Sequence, residues 1–281
     1  MTQISKPSRT ISIGIALVIL FIAAACAGCT SSAGNTVPDV APATTPPQAV
    51  SVFCGAGLKA PMQEIGVAFG EKYGIPVEFN YGGGGTLVSQ MNLTRKGDVF
   101  MPGSTVEWQA AKSQGLVNDY ELVAYHVPVI VVQKGNPKNI TSLTDLARPG
   151  LKVALGDTSA TAIGKAGVKM FKKLNITDDV EKNVVTRTPT INELVVIMKT
   201  GQADAAIVTL DNVDAGVMDT ITIPVSKNEI LVTPVGMTTY TTNTNTAAQF
   251  VAYVSSDEGK AFFAKHGFPV YPDPAYENVR I

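Results

Sequence analysis

From Val50 onward, short apolar runs alternate with segments whose apolar residues recur every three or four positions. Val50 to Cys54 (VSVFC) reads as a strand. Leu58, Met62, Ile65, Phe69 and Tyr73 then form one stripe of a helix, with Pro61 tolerable only in its first turn. Val77–Phe79 and Asp98–Phe100 read as further strands, and Thr86–Asn92 and Thr105–Gln114 as helices, the last stopped by Gly115. The theme then repeats. His126–Gln133, Leu151–Leu155 and Ala205–Leu210 are strand-like, while the spacings from Ile163 to Leu174 and from Ile191 to Met198 are helical. Ala247–Val254 and Asp257–His266 predict two helices near the end. Strands separated by helices predict an α/β fold of parallel sheets covered on both faces. Ligands of such sheets sit beyond the carboxyl ends of the strands.

The chain before Val50 follows a different pattern. Lys6 and Arg9 precede an apolar run, Ile11–Ala25, of 15 residues. A spanning helix needs about 20. A basic start, a short apolar stretch and then small residues predict a secretory signal over 1–28. Ala27-Gly28-Cys29-Thr30-Ser31 resembles the lipobox of exported lipoproteins, with Cys29 as the acylated residue and Cys26 as the alternative. Residues 29–49 are rich in Pro, Thr and Ser and nearly free of large apolar side chains, and so read as a tether. The expected location is outside the cell, anchored at the outer face of the cytoplasmic membrane.

Composition narrows the chemistry. The 281 residues are 45% hydrophobic and 16% charged, too apolar for disorder. Lys and Arg total 22 against 23 acidic residues, and no run of them forms a basic patch, which argues against nucleic acid as a partner. Three Cys and two His leave little material for a metal cage or a His-based reaction centre. His126, His266 and Cys54 are expected to be structural. No Gly-x-Ser-x-Gly motif is present, and no cofactor or enzymatic activity is expected.

The turns that follow the strands carry the signal. They read Gly55-Ala56-Gly57, Tyr81-Gly82-Gly83-Gly84-Gly85-Thr86, Pro102-Gly103-Ser104-Thr105 and Gly156-Asp157-Thr158-Ser159-Ala160-Thr161. Each places bare backbone at a helix start, where free N–H groups and the helix dipole suit an anion. Glycine lets successive N–H groups converge and lets a ligand approach closely. No Lys or Arg lies in Gly55–Gly57, Gly82–Thr86 or Gly156–Thr161, so neutral donors would hold the anion. Asp157 is expected either to cap the helix near Thr161 or to reach across a cleft.

In this order and spacing, Val52-Phe53-Cys54-Gly55-Ala56-Gly57-Leu58, Tyr81 to Leu87, Gly97-Asp98-Val99-Phe100, Gly156-Asp157 and Ala205-Ala206-Ile207-Val208 resemble the molybdate/tungstate-binding family. Its members are extracytoplasmic receptors of ABC importers. The resemblance implies the type II periplasmic binding protein fold, two α/β lobes joined by two crossover strands with the ligand between them. One lobe would take residues 50–126 and 233–281, and the other 127–232, with crossovers at His126-Val127-Pro128 and Thr233-Pro234-Val235. The implied function is capture of a tetrahedral oxyanion by a monomer and its delivery to a permease and its ATPase. The family's first Ser falls at Gly57, its second at Gly84, its amide donors near Ile163 and Ile191, and its Tyr near Thr209. The chain therefore departs from the family at both Ser positions and at the Tyr. Ala56, Gly83 and Gly85 would supply further amides, and Tyr125, Asn192, Thr86, Ser104, Thr158 and Ser159 are spare donors. Rival readings are the same receptor for another anion or polar solute, with Arg148 or Arg187 in the cleft, or an exported enzyme or sensor on this fold.

Overall fold

The computed structural model describes residues 48–279. The expected signal peptide, both candidate acylation sites Cys26 and Cys29, and all but the last two residues of the tether lie outside them. Among the described residues, no helix is long and apolar enough to cross a membrane.

The chain begins β1 (Val50–Gly55), α1 (Lys59–Tyr73), β2 (Val77–Gly82), α2 (Gly84–Thr94), β3 (Val99–Met101), α3 (Thr105–Ser113) and β4 (Glu121–His126). It then builds β5 (Pro128–Gln133), β6 (Val153–Gly156), α4 (Ala162–Lys173), α5 (Thr177–Asn183), β7 (Val184–Thr188), α6 (Ile191–Lys199), β8 (Ala205–Thr209) and β9 (Met218–Thr222). It ends with β10 (Leu231–Met237), α7 (Thr244–Ser255) and α8 (Asp257–Lys265). Two five-stranded sheets result, ordered β2-β1-β3-β10-β4 and β7-β6-β8-β5-β9. The α/β class and two-lobe architecture are as expected. Neither sheet is wholly parallel, however: β10 runs antiparallel to β3 and β4, and β5 antiparallel to β8 and β9.

Each sheet is covered on both faces, so its central strands bury both sets of side chains. In the first lobe, the stripe Met62, Ile65 and Phe69 of α1 packs with Phe250 and Phe263 over Val50, Val52 and Val99. Gly74, at φ 69°, stops α1. On the other face, Leu87, Met91 and Trp108 cover Phe53 and Phe100. Trp108 is fully buried, stacks on Phe100 at 5.8 Å and meets Tyr120 edge-on at 5.5 Å. Gly236 makes room for it, since a Cβ there would lie 2.6 Å from the indole. In the second lobe, Ile163, Met170, Phe171, Leu194 and Met198 from α4 and α6 cover β5, β6 and β8.

The run His126–Gln133 is not one strand. β4 ends at His126, Val127 turns, and Pro128, which has no N–H to donate, opens β5 in the other sheet. The chain comes back through Asn228, whose Nδ2 donates to Pro128 O at 2.9 Å, and rejoins the first sheet where Leu231 pairs with His126. Thr233-Pro234-Val235 therefore lies inside β10, already paired with β4.

Candidate functional site

Between the two lobes lies a cavity of about 50 Å³. That is room for on the order of four water-sized atoms. The turns after β1, β2 and β3 line it from one lobe through Gly55, Ala56, Gly57, Gly82, Gly83, Gly84 and Gly103. The starts of α4 and α6 line it from the other through Thr161, Ala162, Ile163, Thr190 and Ile191. Glu107, His126, Thr209, Leu58 and Leu231 complete the wall.

The threonine hydroxyls in this wall already have partners. Thr161 caps α4 by accepting from Gly164 N at 3.1 Å, and it donates to Asp157 O at 2.7 Å. Thr190 caps α6 and donates to Glu193 Oε1 at 2.8 Å. Thr209 donates to Asp211 Oδ2 at 3.1 Å. Each threonine cap satisfies one N–H of its helix. The first two amides, of Ala162 and Ile163 in α4 and of Ile191 and Asn192 in α6, have no acceptor within their helices. Both helix starts line the cavity, and a helix start favours negative charge.

Two ionisable groups border the same space. Glu107 is fully buried in α3, bonded by Ser104 Oγ and paired with Lys165 Nζ of α4 at 2.8 Å across the lobes. His126 is 4% exposed, with Nδ1 3.1 Å from Thr209 Oγ1 and 3.4 Å from Asp211 Oδ1. Its Nε2 is buried and has no hydrogen-bond partner. His126 was expected to be structural, and the structure instead puts its ring at the cavity.

The lobes also touch directly. Gly85 N donates to Ala160 O at 2.9 Å, and Asn192 Nδ2 donates to Ala56 O at 3.0 Å. Glycine is required at this contact. A Cβ on Gly83 would lie 2.4 Å from Pro189 O, and one on Gly85 would lie 2.0 Å from Ser159 O.

Of the residues expected in the site, Ala56, Gly57, Gly83, Gly84, Ile163, Ile191 and Thr209 line the cavity. Gly85 and Asn192 serve lobe contact instead. Thr86 is exposed. Ser104 caps α3, accepting from Val106 N at 3.2 Å. Thr158 opens on a separate surface pocket with Arg187. Ser159 is turned to Asp157, whose Oδ1 accepts from Ser159 N and Ala160 N at 2.7 and 2.9 Å. The Ser159 hydroxyl and the two amides hold the Asp157 carboxyl below its usual range. Asp157 thus orders the turn before α4 and does not cross the cleft. Tyr125 packs on Tyr271 and Tyr276 at 5.6 and 5.0 Å, away from the cavity. Successive side chains of a strand face opposite ways, so His126 takes the cavity side and Tyr125 cannot.

Sequence reasoning missed Glu107, Thr161 and Thr190 as well. Ser104-Thr105-Val106-Glu107 carries the spacing of a capping box, which by itself explains a Glu at that place. Cys54 is a buried core thiol, pushed well above its ordinary range by desolvation. Among the described residues, no group of three His, Cys, Asp or Glu is arranged for a metal. Neither anticipated arginine lines the cavity. Arg148 donates to Lys138 O at 2.6 Å, and Arg187 is tied to Glu181 and to Gly156 O.

Comparison with known proteins agrees with this geometry. Residues 50–269 match the family described as bacterial extracellular solute-binding protein. A putative binding protein of Haemophilus influenzae is 31% identical over 157 residues, covering 56% of this chain and 64% of that protein. The molybdate-binding protein ModA of Mycobacterium tuberculosis is 27% identical, over 92% of this chain and 98% of that one. The sulfate-binding protein SubI of the same organism, at 18% identity, superposes with a TM-score of 0.71 over 83% of this chain and 92% of that one. By its sequence match and its two-lobed fold, the chain belongs to the bacterial extracellular solute-binding proteins.

Proposed function

We propose that the chain is the lipid-anchored receptor of an ABC importer, and that it captures a tetrahedral oxyanion, molybdate or tungstate, between its lobes for delivery to a permease and its ATPase. The observation that carries the reading is the interlobe cavity of about 50 Å³, faced by the amino ends of α4 and α6 and lined by no Lys or Arg. Its size suits four oxygens around one central atom. Amide dipoles fixed at helix starts can hold such a charge without a countercharge. The crossings at Val127 and just before Leu231 would act as the hinge, the lobe built on the first sheet moving against the lobe built on the second. The protein would work as a monomer, held at the outer face of the membrane through Cys29.

A second reading keeps the receptor and changes the cargo to another tetrahedral anion such as sulfate. The presence of His126 and Glu107 beside glycines at both family Ser positions favours keeping it open. An enzyme fits less well. Asp211 and Thr209 both sit on Nδ1 of His126, so no hydroxyl is placed at Nε2 to be activated.

Thermal melting of the full chain with tungstate, molybdate, sulfate and phosphate tests the ligand. A bound anion at about a thousand times its Kd raises stability by roughly 4 kcal/mol. An unchanged melting curve with all four would overturn the assignment.

A further inference from the structure

We propose that His126 contacts the captured anion and holds it as an imidazolium, so that each anion bound brings one proton into the protein. The inference rests on the reading of the cavity as an anion site.

The hydrogen-bond bookkeeping around Nδ1 fixes the tautomer. Thr209 Oγ1 lies 3.1 Å from each of three partners, Asp211 Oδ2, Asn212 Nδ2 and His126 Nδ1. A carboxylate only accepts, so the single hydroxyl proton goes to Asp211. Asn212 donates to the hydroxyl oxygen, and Nδ1 must donate as well. Asp211 Oδ1, 3.4 Å from the same nitrogen, enforces that choice. With Nδ1 protonated, the neutral ring in the cavity wall would keep a bare lone pair on the buried, unpartnered Nε2. An oxyanion would meet that lone pair with its own. The imidazolium offers Nε2–H and a charge-assisted bond. It also gives a partner to Nε2, which is otherwise buried without one.

Charge points the same way. Among the described residues, the ionisable groups on the ring and around its cavity are few. Asp211 faces it from the turn after β8, and Glu107, paired with Lys165, borders the same cavity from α3. Tyr125, its neighbour on β4, packs elsewhere, and Phe268 meets the ring edge-on at 5.2 Å. Lys59 and His266 lie with Asp211 around a separate surface pocket, where His266 is held by Glu64 at 2.9 Å. Glu107 and Lys165 cancel. A neutral His126 therefore leaves the surroundings with the negative charge of Asp211, and an imidazolium removes it. A dianion favours the second state, and linkage makes the preference reciprocal.

Calorimetric titration of the full chain with sodium tungstate or sodium sulfate tests this, in two buffers of different ionisation heat, above the ordinary imidazole range. Both ligands are dianions there, so any proton taken up belongs to the protein. The expected result is uptake approaching one proton per anion, with affinity weakening by up to about tenfold per unit rise of pH. The chain has two histidines, so ring nitrogen NMR resolves His126 directly and should show it doubly protonated on binding. His126→Gln keeps an N–H donor that cannot titrate, and should bind more weakly, with no proton uptake and a flat pH profile. Binding by the unaltered chain without proton uptake overturns the inference while leaving the anion site standing, as does unchanged uptake in His126→Gln. Failure of any anion to bind overturns both.

Discussion

Gly57 and Gly84 fall where the resemblance places Ser, and the structure leaves little room there for a side chain. A Cβ on Gly84 would lie 2.5 Å from Cγ of Glu107, and one on Gly57 would lie 3.0 Å from Ile191 Cγ2 and 3.4 Å from His126 Cε1. Gly84 makes room for the ionisable Glu107 side chain, and Gly57 makes room for Ile191 beside His126. Restoring the family residue should therefore harm this chain. Gly84→Ser drives Glu107 from its place at an overpacking cost of about 1–3 kcal/mol. Anion affinity, measured by calorimetry, should fall roughly 5- to 150-fold. The glycine turns themselves were legible because bare backbone before a helix has few other uses. The side chains that fill them were not, since His126 and Glu107 are distant in sequence from Gly57 and Gly84 and each had a sufficient structural explanation.

At the scale of elements, the long apolar runs and amphipathic stripes were legible, and the pieces with mixed patterns were not. β7 (VVTRT) and β9 (MDTIT) are half-exposed, and α5 (TDDVEKN) is a polar segment of 7 residues, so none stands out by periodicity. β5 was joined to the end of β4 because a single Val separates two apolar strands of different sheets. One tie between elements carries a pH signature. Glu64 of α1 takes hydrogen bonds from Lys265 and His266 at the end of α8, and these hold its carboxyl below the usual range. A depressed folded value stabilises the fold above the ordinary carboxylate range, and that contribution disappears as pH falls through the folded value. Melting temperatures of the unaltered chain and Glu64→Gln should therefore differ at neutral pH and converge on acidification.

For the whole molecule, alternation of strand and helix was enough to foresee two α/β lobes, but contact between them depends on atoms no local pattern encodes. The Gly85–Ala160 and Asn192–Ala56 bonds and the Glu107–Lys165 pair all join the lobes. Lys165→Met leaves a fully buried carboxylate without its partner, a loss of about 2 kcal/mol that should weaken anion affinity about 30-fold in calorimetry. Trp108, the single tryptophan in 281 residues, follows Glu107 directly in α3 and lies wholly out of water between Phe100 and Tyr120. The protein thus carries its own optical gauge. Emission from one shielded indole should stay blue and resist external quenchers, then redden only when the surrounding aromatic stack comes apart, so one label-free trace reports the integrity of the lobe that holds Glu107.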